Sequence, residues 1–357
     1  MEQNMNNEKI AVSINCPVFN HEKYLRRCLD SLLMQKTNFK YEILVHDDAS
    51  TDGSTDIIRE YELKYPDLIK PIYQTVNQYS QGVKIGWSFQ VPRARGKYYA
   101  FCEGDDFWID EYKLQKQYDI MEKHSAAMCV HKVECVSENG DKTGKSYPKE
   151  DVTVTENEII TSDKVLEYLE VENVYPFQTS SFFVKTSIMR ECVEIKPKFM
   201  TLTNAGSINL MIYCATKGDF VYLDNIMSAY RTNSIGSWSE SQRNPENRIR
   251  HLENWIKTKQ AVNEFLEYRY SKHIEQQILG YEFEIYKLKQ DYKRCLNSKY
   301  KHILEKMSWK EKMYIIMNAQ VPGIMRGYKT LRSNLKDICK KIKGVRKKNE
   351  SIKKCII

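Results

Sequence analysis

Short apolar segments alternate with segments of helical periodicity from residue 10 to residue 101, and this alternation limits the fold more than any other feature. The apolar segments, which we predict to be strands, are residues 10–16, 41–46, 69–75 and 98–101. The helices predicted between them begin at Glu22, run through Ile57 and cover residues 84–94. Such an alternation is typical of a parallel, doubly wound sheet. The sequence therefore predicts an α/β fold with a mainly parallel sheet and helices on both faces.

Polar residues follow three of the four predicted strands, at residues 17–20, 47–52 and 103–106. Pro17 is expected to end the first strand in a turn, because proline cannot continue a central strand. In doubly wound sheets, ligands bind outside the carboxyl ends of the strands. We therefore expect the three polar segments to converge on one crevice. Neither a G-x-G-x-x-G after the first strand nor a P-loop motif occurs, so these two phosphate cradles are not expected.

The segment after the fourth predicted strand places Glu103, Asp105 and Asp106 within four positions, with Gly104 among them. Clustered carboxylates repel one another unless a cation or hydrogen-bond donors compensate their charge. A hard divalent ion held by oxygen ligands and phosphates is a suitable partner, and a glycine allows close approach of the backbone to a ligand. The alternative interpretation is a surface acidic turn, because short acidic motifs often match by chance.

The chain length of 357 residues exceeds what one core usually covers, and charge divides the chain unevenly. Residues 241–357 hold 28 Lys and Arg against 12 Asp and Glu, a net of +16, whereas residues 1–240 hold 27 against 35, a net of −8. We predict two halves of one α/β domain, residues 1–120 and 121–240, followed by a basic helical region at 241–357.

The basic region favours an anionic partner, and solvated helix faces are the alternative explanation of its charge. From residue 309 to 357, apolar clusters lie beside many cations, a pattern that suits attachment to an anionic membrane surface. Nucleic acid is not expected as a partner, because the region has no aromatic-glycine signature of an RNA-binding sheet.

Cysteine usage and hydropathy favour a cytoplasmic location, with possible contact to the inner face of the cell membrane. The ten cysteines are scattered without a C-x-x-C pair, and the N-terminal residues are polar. No apolar run approaches the roughly 18 residues that span a bilayer. We therefore expect reduced thiols and no signal peptide.

Several spaced motifs occur in a fixed order along the first half of the chain. They are residues 13–20, 24–35, 47–52, 96–98, 103–108 and 113–117, with weaker ones at 222–224, 230–231 and 236–239. This set resembles glycosyltransferase family 2, whose members are inverting enzymes of the GT-A fold. The resemblance is strong over residues 10–120 and weak to about residue 240. It implies a UDP-sugar donor, a saccharide or lipid-linked acceptor, a Mn²⁺ or Mg²⁺ ion and a role in cell-surface polysaccharide assembly.

The resemblance also implies roles for residues that bind the donor nucleotide. Pro17 would shape the first turn beside the base, and Asn20 would support that turn. Asp48 corresponds to the acid that accepts a hydrogen bond from the uracil imide. Asp47 and Asp52 would organise the same loop.

The acidic motif corresponds to the metal and diphosphate site of the family. Asp105 corresponds to its metal-binding member, and Glu103 stands where an Asp is more usual. Gly104 and Asp106 complete the motif as donor-binding residues. The alternative role for Asp106 is the N-cap of a helix that begins at Trp108.

The second half departs from the family pattern at the position of the catalytic base. Inversion needs a carboxylate that takes the proton of the acceptor hydroxyl, and the family usually has an Asp where this chain has Ser207. A serine needs an activator to act as a base. The downstream acids Asp219 and Asp224 are expected in a turn and at a strand end, and Asn233 replaces a frequent His. A transferase-like protein that binds a nucleotide sugar with little or no turnover is therefore the alternative function.

Three further residues have competing interpretations. His46 is expected to be a core or edge histidine. His131 is expected in a strand, and it lacks metal-ligand partners at sequence spacing. Trp238 is expected either to stack on an acceptor sugar or to pack in its loop.

Overall fold

The computed structural model describes residues 9–149, 152, 154, 159–203, 206–232 and 242–320. The chain forms two compact units, residues 1–274 and 275–357. The proposed boundary at residue 240 differs from this division, because a long helix after residue 244 belongs to the first unit. The division of the α/β part at residue 120 stays a prediction.

Four parallel strands form the first half of the sheet, in the order β3-β2-β1-β4. They are β1 (Val12–Val18), β2 (Tyr41–Asp47), β3 (Ile69–Tyr73) and β4 (Tyr98–Phe101). The connections contain α1 (Glu22–Leu33), α2 (Ser54–Lys64) and a π-helical turn, Gly86–Gln90, that continues into α3 (Val91–Arg93). The predicted alternation of strands and helices is thus confirmed. Helix α1 buries residues at helical spacing, including Leu25, Cys28 and Leu32, against the core.

The second half of the sheet is mixed, and it continues from β4 in the order β9-β6-β10-β5. Its strands are β5 (Phe107–Trp108), β6 (Met128–Val136), β7 (Lys142–Tyr147), β8 (Ile159–Ile160), β9 (Phe183–Lys185) and β10 (Phe220–Arg231). Strand β9 is antiparallel to both β4 and β6, whereas β6 and β10 are parallel to each other. The predicted α/β fold class is confirmed, with the parallel arrangement strongest in the first four strands.

The helices of this half of the first unit follow the acidic turn, which we define as residues 103–106. They are α4 (Lys113–Lys123), α5 (Ser162–Leu166), α6 (Thr186–Ile195), α7 (Lys198–Thr201), α8 (Gly206–Ala215) and α9 (Pro245–Phe265). His131 lies in β6 as expected, and its buried Nδ1 is 2.8 Å from the carbonyl of Lys132.

Pro17 does not end the first strand, contrary to the expectation from sequence. Strand β1 continues to Val18 and pairs with β2 through Pro17 and His46. The pairing of β1 with β4 ends at Asn15, and the Pro17 carbonyl accepts a hydrogen bond from Gly104 N at 3.0 Å. Because N and O of one residue face the same side in a parallel pair, the missing N–H of Pro17 faces the side where β4 has ended.

The second unit is helical, as predicted. It contains most of α10 (Ser271–Leu288), then α11 (Tyr292–Cys295), α12 (Lys301–Lys306) and α13 (Trp309–Gln320). Its small core is formed by Phe283, Cys295, Tyr300 and Ile315. Across the described residues of the chain, no helix combines the length and the apolar character needed to cross a bilayer. The eight cysteines in the described residues are free thiols.

Candidate active site

Hydrogen bonds between backbone groups join the ends of three parallel strands. The Asp48 N–H, after β2, donates to the Val18 carbonyl at the end of β1 at 2.9 Å. The Gly104 N–H, after β4, donates to the Pro17 carbonyl at 3.0 Å. The predicted convergence of the three polar segments is therefore observed.

Asn20 and Asp47 organise the loop that follows β2. Asn20 adopts a left-handed backbone with φ of 55°, and its Oδ1 accepts a hydrogen bond from Thr51 N at 2.7 Å. The Asn20 N–H donates to Ser50 Oγ at 3.0 Å. The Asp47 carboxylate accepts hydrogen bonds from Ser50 N at 3.0 Å and from Thr55 Oγ1 at 2.5 Å. These contacts fix the loop beside the end of β1.

Asp52 ties the same loop to the first turn of α1. Its carboxylate accepts hydrogen bonds from Glu22 N and from Ser54 N, each at 3.0 Å. Burial opposes ionisation of Asp52, but the hydrogen bonds from Ser54 and Glu22 outweigh it and lower its pKa. Asp52 therefore holds the loop as a carboxylate.

Asp48 holds a second loop, the one that follows β3. The side chain is 1% exposed, and its two oxygens accept hydrogen bonds from Gln78 N at 2.7 Å and Tyr79 N at 3.0 Å. His46 Nε2 lies 3.7 Å from Asp48 Oδ1, and burial lowers the pKa of this fully buried histidine. The interpretation of His46 as a core histidine is confirmed, whereas contact of Asp48 with a nucleotide base stays a prediction.

Gly104 is required by the close packing of the acidic turn against β1. A Cβ at this position would lie 2.7 Å from His21 Nδ1 and 3.0 Å from Val18 Cγ2. The turn is closed by a hydrogen bond from Asp106 N to the Glu103 carbonyl at 2.9 Å. Any side chain at residue 104 would push the carboxylates away from the end of β1.

Mutual repulsion and burial raise the pKa values of two carboxyl groups in the acidic turn. Burial, followed by the charge of Asp105, raises the pKa of Glu103 to about 7. Burial, followed by Asp105 and Glu103, raises the pKa of Asp106 well above its usual range. Asp106 is 2% exposed, whereas water reaches the Glu103 side chain and screens its charge. Ionisation is therefore most strongly opposed at Asp106.

Asp106 does not cap a helix, contrary to the alternative interpretation of the sequence. Residues 107 and 108 form β5, which pairs with β10, and the next helix begins only at Lys113. Asp106 Oδ1 instead accepts a hydrogen bond from Arg231 N at 2.8 Å. The carboxylate thus fixes the end of β10 against the acidic turn.

Arg231 is a central residue of the site to which the sequence assigned no role. Its Nε donates to the Asp105 carbonyl at 2.8 Å, and its Nη1 donates to the carbonyls of Ser137, at 3.2 Å, and Glu138. The guanidinium lies 4.4 Å from the ring centroid of Tyr24, and the residue is 4% exposed. The only sequence signal was its place in the Tyr-Arg motif at residues 230–231.

Ser207, at the expected position of the catalytic base, is hydrogen-bonded to Tyr175. Burial raises the pKa of Tyr175 to about 12, the hydrogen bonds of Ser207 and Thr179 oppose this rise, and the charge of Glu103 adds to it. Ser207 therefore lies on the same side of the molecule as the acidic turn. The ring of Tyr147 lies 5.9 Å from that of Tyr175, so tyrosines line this part of the site.

The two downstream acids have structural partners. Asp219 lies in the connection before β10, as expected, and accepts a hydrogen bond from Ser162 N at 2.8 Å. Asp224 lies inside β10, at an irregularity in its pairing with β6, and not at a strand end. It accepts a hydrogen bond from Tyr222 Oη at 2.7 Å and lies 3.7 Å from Lys132 Nζ. Asn233 and Trp238 lie outside the described residues.

The donor set of the acidic turn is compatible with a divalent ion that also binds phosphate. Among the described residues, no three His, Cys, Asp or Glu side chains converge as a complete protein metal site. Mg²⁺ and similar ions are commonly held by one or two carboxylates together with substrate phosphates. Asp105 and Glu103, predicted as metal ligands, would supply such a partial set, and the charge of Asp105 adds to burial in raising the pKa of Glu103.

Comparisons with known proteins place the chain among glycosyltransferases. An uncharacterised protein of Mycobacterium tuberculosis is 40% identical over 131 residues, which is 36% of this chain and 37% of that protein. An uncharacterised glycosyltransferase of Nostoc sp. is 27% identical over 260 residues, 72% of this chain and 76% of that protein. A poly(ribitol-phosphate) beta-glucosyltransferase of Bacillus spizizenii is 33% identical over 155 residues, 42% of this chain and 24% of that protein.

Structure and family profile agree with these sequence comparisons. The crystal structure of residues 1–349 of S. aureus TarS matches with a TM-score of 0.52 at 17% identity, covering 87% of this chain and 79% of that one, and this likeness concerns the fold. The chain spans 37% of the length of its mycobacterial relative. The profile described as "Glycosyl transferase family 2" matches residues 13–188. Residues 13–188 of the chain therefore match glycosyltransferase family 2, and the chain as a whole is similar to glycosyltransferases.

Proposed function

We propose that the protein transfers a sugar from a UDP-sugar donor to a saccharide or lipid-linked acceptor, with inversion, in the assembly of cell-surface polysaccharide. The observation that carries this proposal is the crevice in which backbone hydrogen bonds join the ends of β1, β2 and β4 beside the acidic turn. The Bacillus relative, whose name specifies glucosylation of poly(ribitol phosphate), supports a cell-wall polymer as the class of acceptor.

The loop after β2 would bind the nucleotide of the donor. Pro17 and Asn20 would shape the side of the crevice next to the base, and Asp47 and Asp52 would hold the loop through the contacts described above. Asp48 already accepts two backbone hydrogen bonds, and each carboxylate oxygen retains a second acceptor position for a uracil imide.

The acidic turn would hold Mn²⁺ or Mg²⁺ through Asp105, with Glu103 as the second ligand. Such an ion neutralises charge on the leaving diphosphate. Asp106 would act indirectly, because its Oδ1 is bonded to Arg231 N. Gly104 would keep the turn close to the end of β1.

The proton of the acceptor hydroxyl needs a base, and Ser207 does not supply one by itself. Its partner Tyr175 has a pKa of about 12, so the phenol is protonated at neutral pH and does not act as an activating base for Ser207. This observation favours a second candidate function, a transferase-like protein that binds a nucleotide sugar with little or no turnover.

Donor hydrolysis and transfer assays with a panel of UDP-sugars test the first proposal. We expect turnover that requires Mn²⁺ or Mg²⁺, stops with EDTA and is lost in Asp105→Asn. Asp163→Asn is a matched control in the same unit, because the Asp163 side chain is exposed and forms a surface ion pair with Arg269. Failure to bind any uridine diphosphate compound, with or without metal, would remove the proposal.

Ser207→Asp separates the two candidate functions, because it restores the acid that the family usually has. If the unmodified protein binds UDP in a metal-dependent manner without turnover, and Ser207→Asp transfers sugar, the binding function is favoured. If the unmodified protein transfers sugar and Asp105→Asn abolishes the reaction, the binding function is excluded.

A further inference from the structure

Helix α13 presents three large apolar side chains to solvent at a spacing of four residues. Trp309 is 70% exposed, Met313 is 44% exposed and Met317 is 42% exposed. Residues four apart lie one above the other on the same face of a helix. We refer to Trp309, Met313 and Met317 as the exposed stripe.

The exposed stripe is not used to pack the second unit. The same helix buries Ile315 and Ala319, which are 1% and 5% exposed. The ring of Tyr314 packs edge-on against that of Tyr292, with 5.7 Å between centroids. The helix therefore has one face that stabilises the unit and another on which apolar surface contacts water. Single exposed apolar residues are common, but an aligned row of them marks an interaction surface.

Cations neighbour the exposed stripe in the helix and are frequent in the sequence that follows it. Lys310 and Lys312 belong to the same helix, and Lys312 Nζ donates to the Glu305 carbonyl at 3.1 Å. The sequence that follows, residues 321–357, contains 12 Lys and Arg against 2 Asp and Glu. A partner that complements both the apolar stripe and the cations must have a negatively charged surface with an apolar layer beneath it. An anionic lipid bilayer has this combination.

We propose that the exposed stripe is the surface by which this protein docks on an anionic lipid bilayer. Tryptophan is suited to the boundary between headgroups and acyl chains, because its ring is apolar and its N–H is polar. The two methionines would enter the same boundary, while the lysines would stay at headgroup level with their apolar stems along the surface. The helix would lie in the plane of the interface and would not span the bilayer. The proposal concerns binding alone and does not depend on sugar transfer.

Vesicle flotation of the full chain tests the proposal. The vesicles contain phosphatidylcholine, either alone or mixed with phosphatidylglycerol. We expect the unmodified protein to float with the mixed vesicles, to float less as salt is raised and to remain behind with phosphatidylcholine alone. Replacing the exposed stripe by serines (Trp309→Ser, Met313→Ser, Met317→Ser) should lower the bound fraction by about tenfold or more, since apolar burial is lost.

The matched control replaces exposed apolar residues of the first unit. Leu63→Ser with Ile195→Ser changes side chains that are 83% and 56% exposed, and this variant should float like the unmodified protein. Equal flotation of the stripe variant and the unmodified protein would overturn the proposal. So would flotation that is the same with and without phosphatidylglycerol.

A second measurement keeps the test valid if the triple variant fails to fold. Brominated lipids quench tryptophans that enter a bilayer, so mixed vesicles should quench the unmodified protein more than Trp309→Phe. Absence of that difference would contradict docking through the stripe. Gel filtration provides one more contrary outcome: a dimer that the stripe variant converts to a monomer, without lipid binding, would assign the stripe to a second copy of the chain.

Discussion

Replacing Arg231 by lysine keeps a positive charge at the centre of the site but removes the planar group that binds three carbonyls. In the folded protein the guanidinium donates to the carbonyls of Asp105, Ser137 and Glu138. A lysine ammonium at the end of a different stem can replace one of these bonds. Two charge-assisted hydrogen bonds are then lost, each of which contributes about 1.5–3 kcal/mol. We expect the free energy of unfolding to fall by about 3 kcal/mol, the lower end of the sum, because the turns can relax toward water.

Urea unfolding of the metal-free protein measures this loss, with the midpoint shifted and the slope unchanged. Donor binding should weaken at the same time, because Arg231 ties the acidic turn to residues 137–138. Calorimetry with UDP and Mn²⁺ measures that second effect in the folded fraction. A structural role alone, without any role in the site, would lower the unfolding free energy and leave the affinity of the folded protein unchanged.

Arg27→Lys is the matched control, because Arg27 is the neighbouring cation. Its guanidinium lies 3.6 Å from the ring centroid of Phe107, and burial followed by the charge of Arg231 lowers its pKa. Loss of this stacking should cost about 1 kcal/mol. If Arg231→Lys and Arg27→Lys lower the free energy of unfolding equally, the three hydrogen bonds of the Arg231 guanidinium are not what holds the acidic turn.

Three further predictions concern packing and charge in the first unit. Lys259→Met should lower the unfolding free energy by about 3–5 kcal/mol, because it removes the ammonium that lies 2.8 Å from the buried Glu170 carboxylate, and adding Glu170→Met should recover most of that loss in urea unfolding. Gly96→Ala should destabilise the protein by more than about 1 kcal/mol in the same assay, because its Cβ would lie 2.5 Å from Ser13 N; an unchanged midpoint would contradict this packing. Burial lowers the pKa of His131 well below 6.5, so the unfolded chain binds this proton at a higher pH than the folded protein does, and the stability falls as pH drops below about 6.5. His131→Asn should flatten this slope by up to about 1.4 kcal/mol per pH unit in thermal unfolding curves. Equal slopes for the two proteins would refute the assignment.

The strands and helices of the first half were predictable because their signals are local. The run that became β2 has the apolar centre Ile43-Leu44-Val45 and is followed at once by residues that favour turns, so its limits could be placed within one residue of Tyr41 and Asp47. Helix α1 repeats apolar residues at the helical period, and this pattern can be read from the sequence without knowledge of the tertiary contacts. Once four such elements alternate, the topology rules for parallel sheets bring the strand ends together.

The parts that could not be predicted depend on partners distant in sequence. Asp106 has the local signature of a helix cap, but its partner is the N–H of Arg231, 125 positions later. Pro17 would disrupt a strand paired on both sides, and it is tolerated because β4 ends before reaching it. Strand β9 has three residues, too few for a periodic pattern, yet it lies between β4 and β6 and runs antiparallel to both.

The role of Arg231 was invisible in the sequence for a related reason. Its partners are backbone carbonyls at residues 105, 137 and 138, and every residue of a chain has a carbonyl. No choice of side chain at those positions marks them as acceptors. Only the tertiary fold decides which carbonyls lie together at one end of the sheet, so only a structure identifies the residue that binds them.

The acidic turn contains three carboxyl groups at a place where neutral side chains would make the fold more stable. The pKa of Asp106 is raised in the folded protein. Its favourable contribution to the free energy of unfolding is therefore complete at low pH and is lost as pH rises through the pKa of the folded state. The same sign applies to Glu103, whose pKa rises to about 7. The fold therefore holds two acidic groups whose ionisation weakens it, and Gly104 and Arg231 keep them in place. A cation bound by Asp105 and Glu103, as proposed, would offset the carboxylate repulsion that adds to burial in raising these pKa values, so part of the cost to the metal-free fold and the affinity for the proposed ion have the same physical origin.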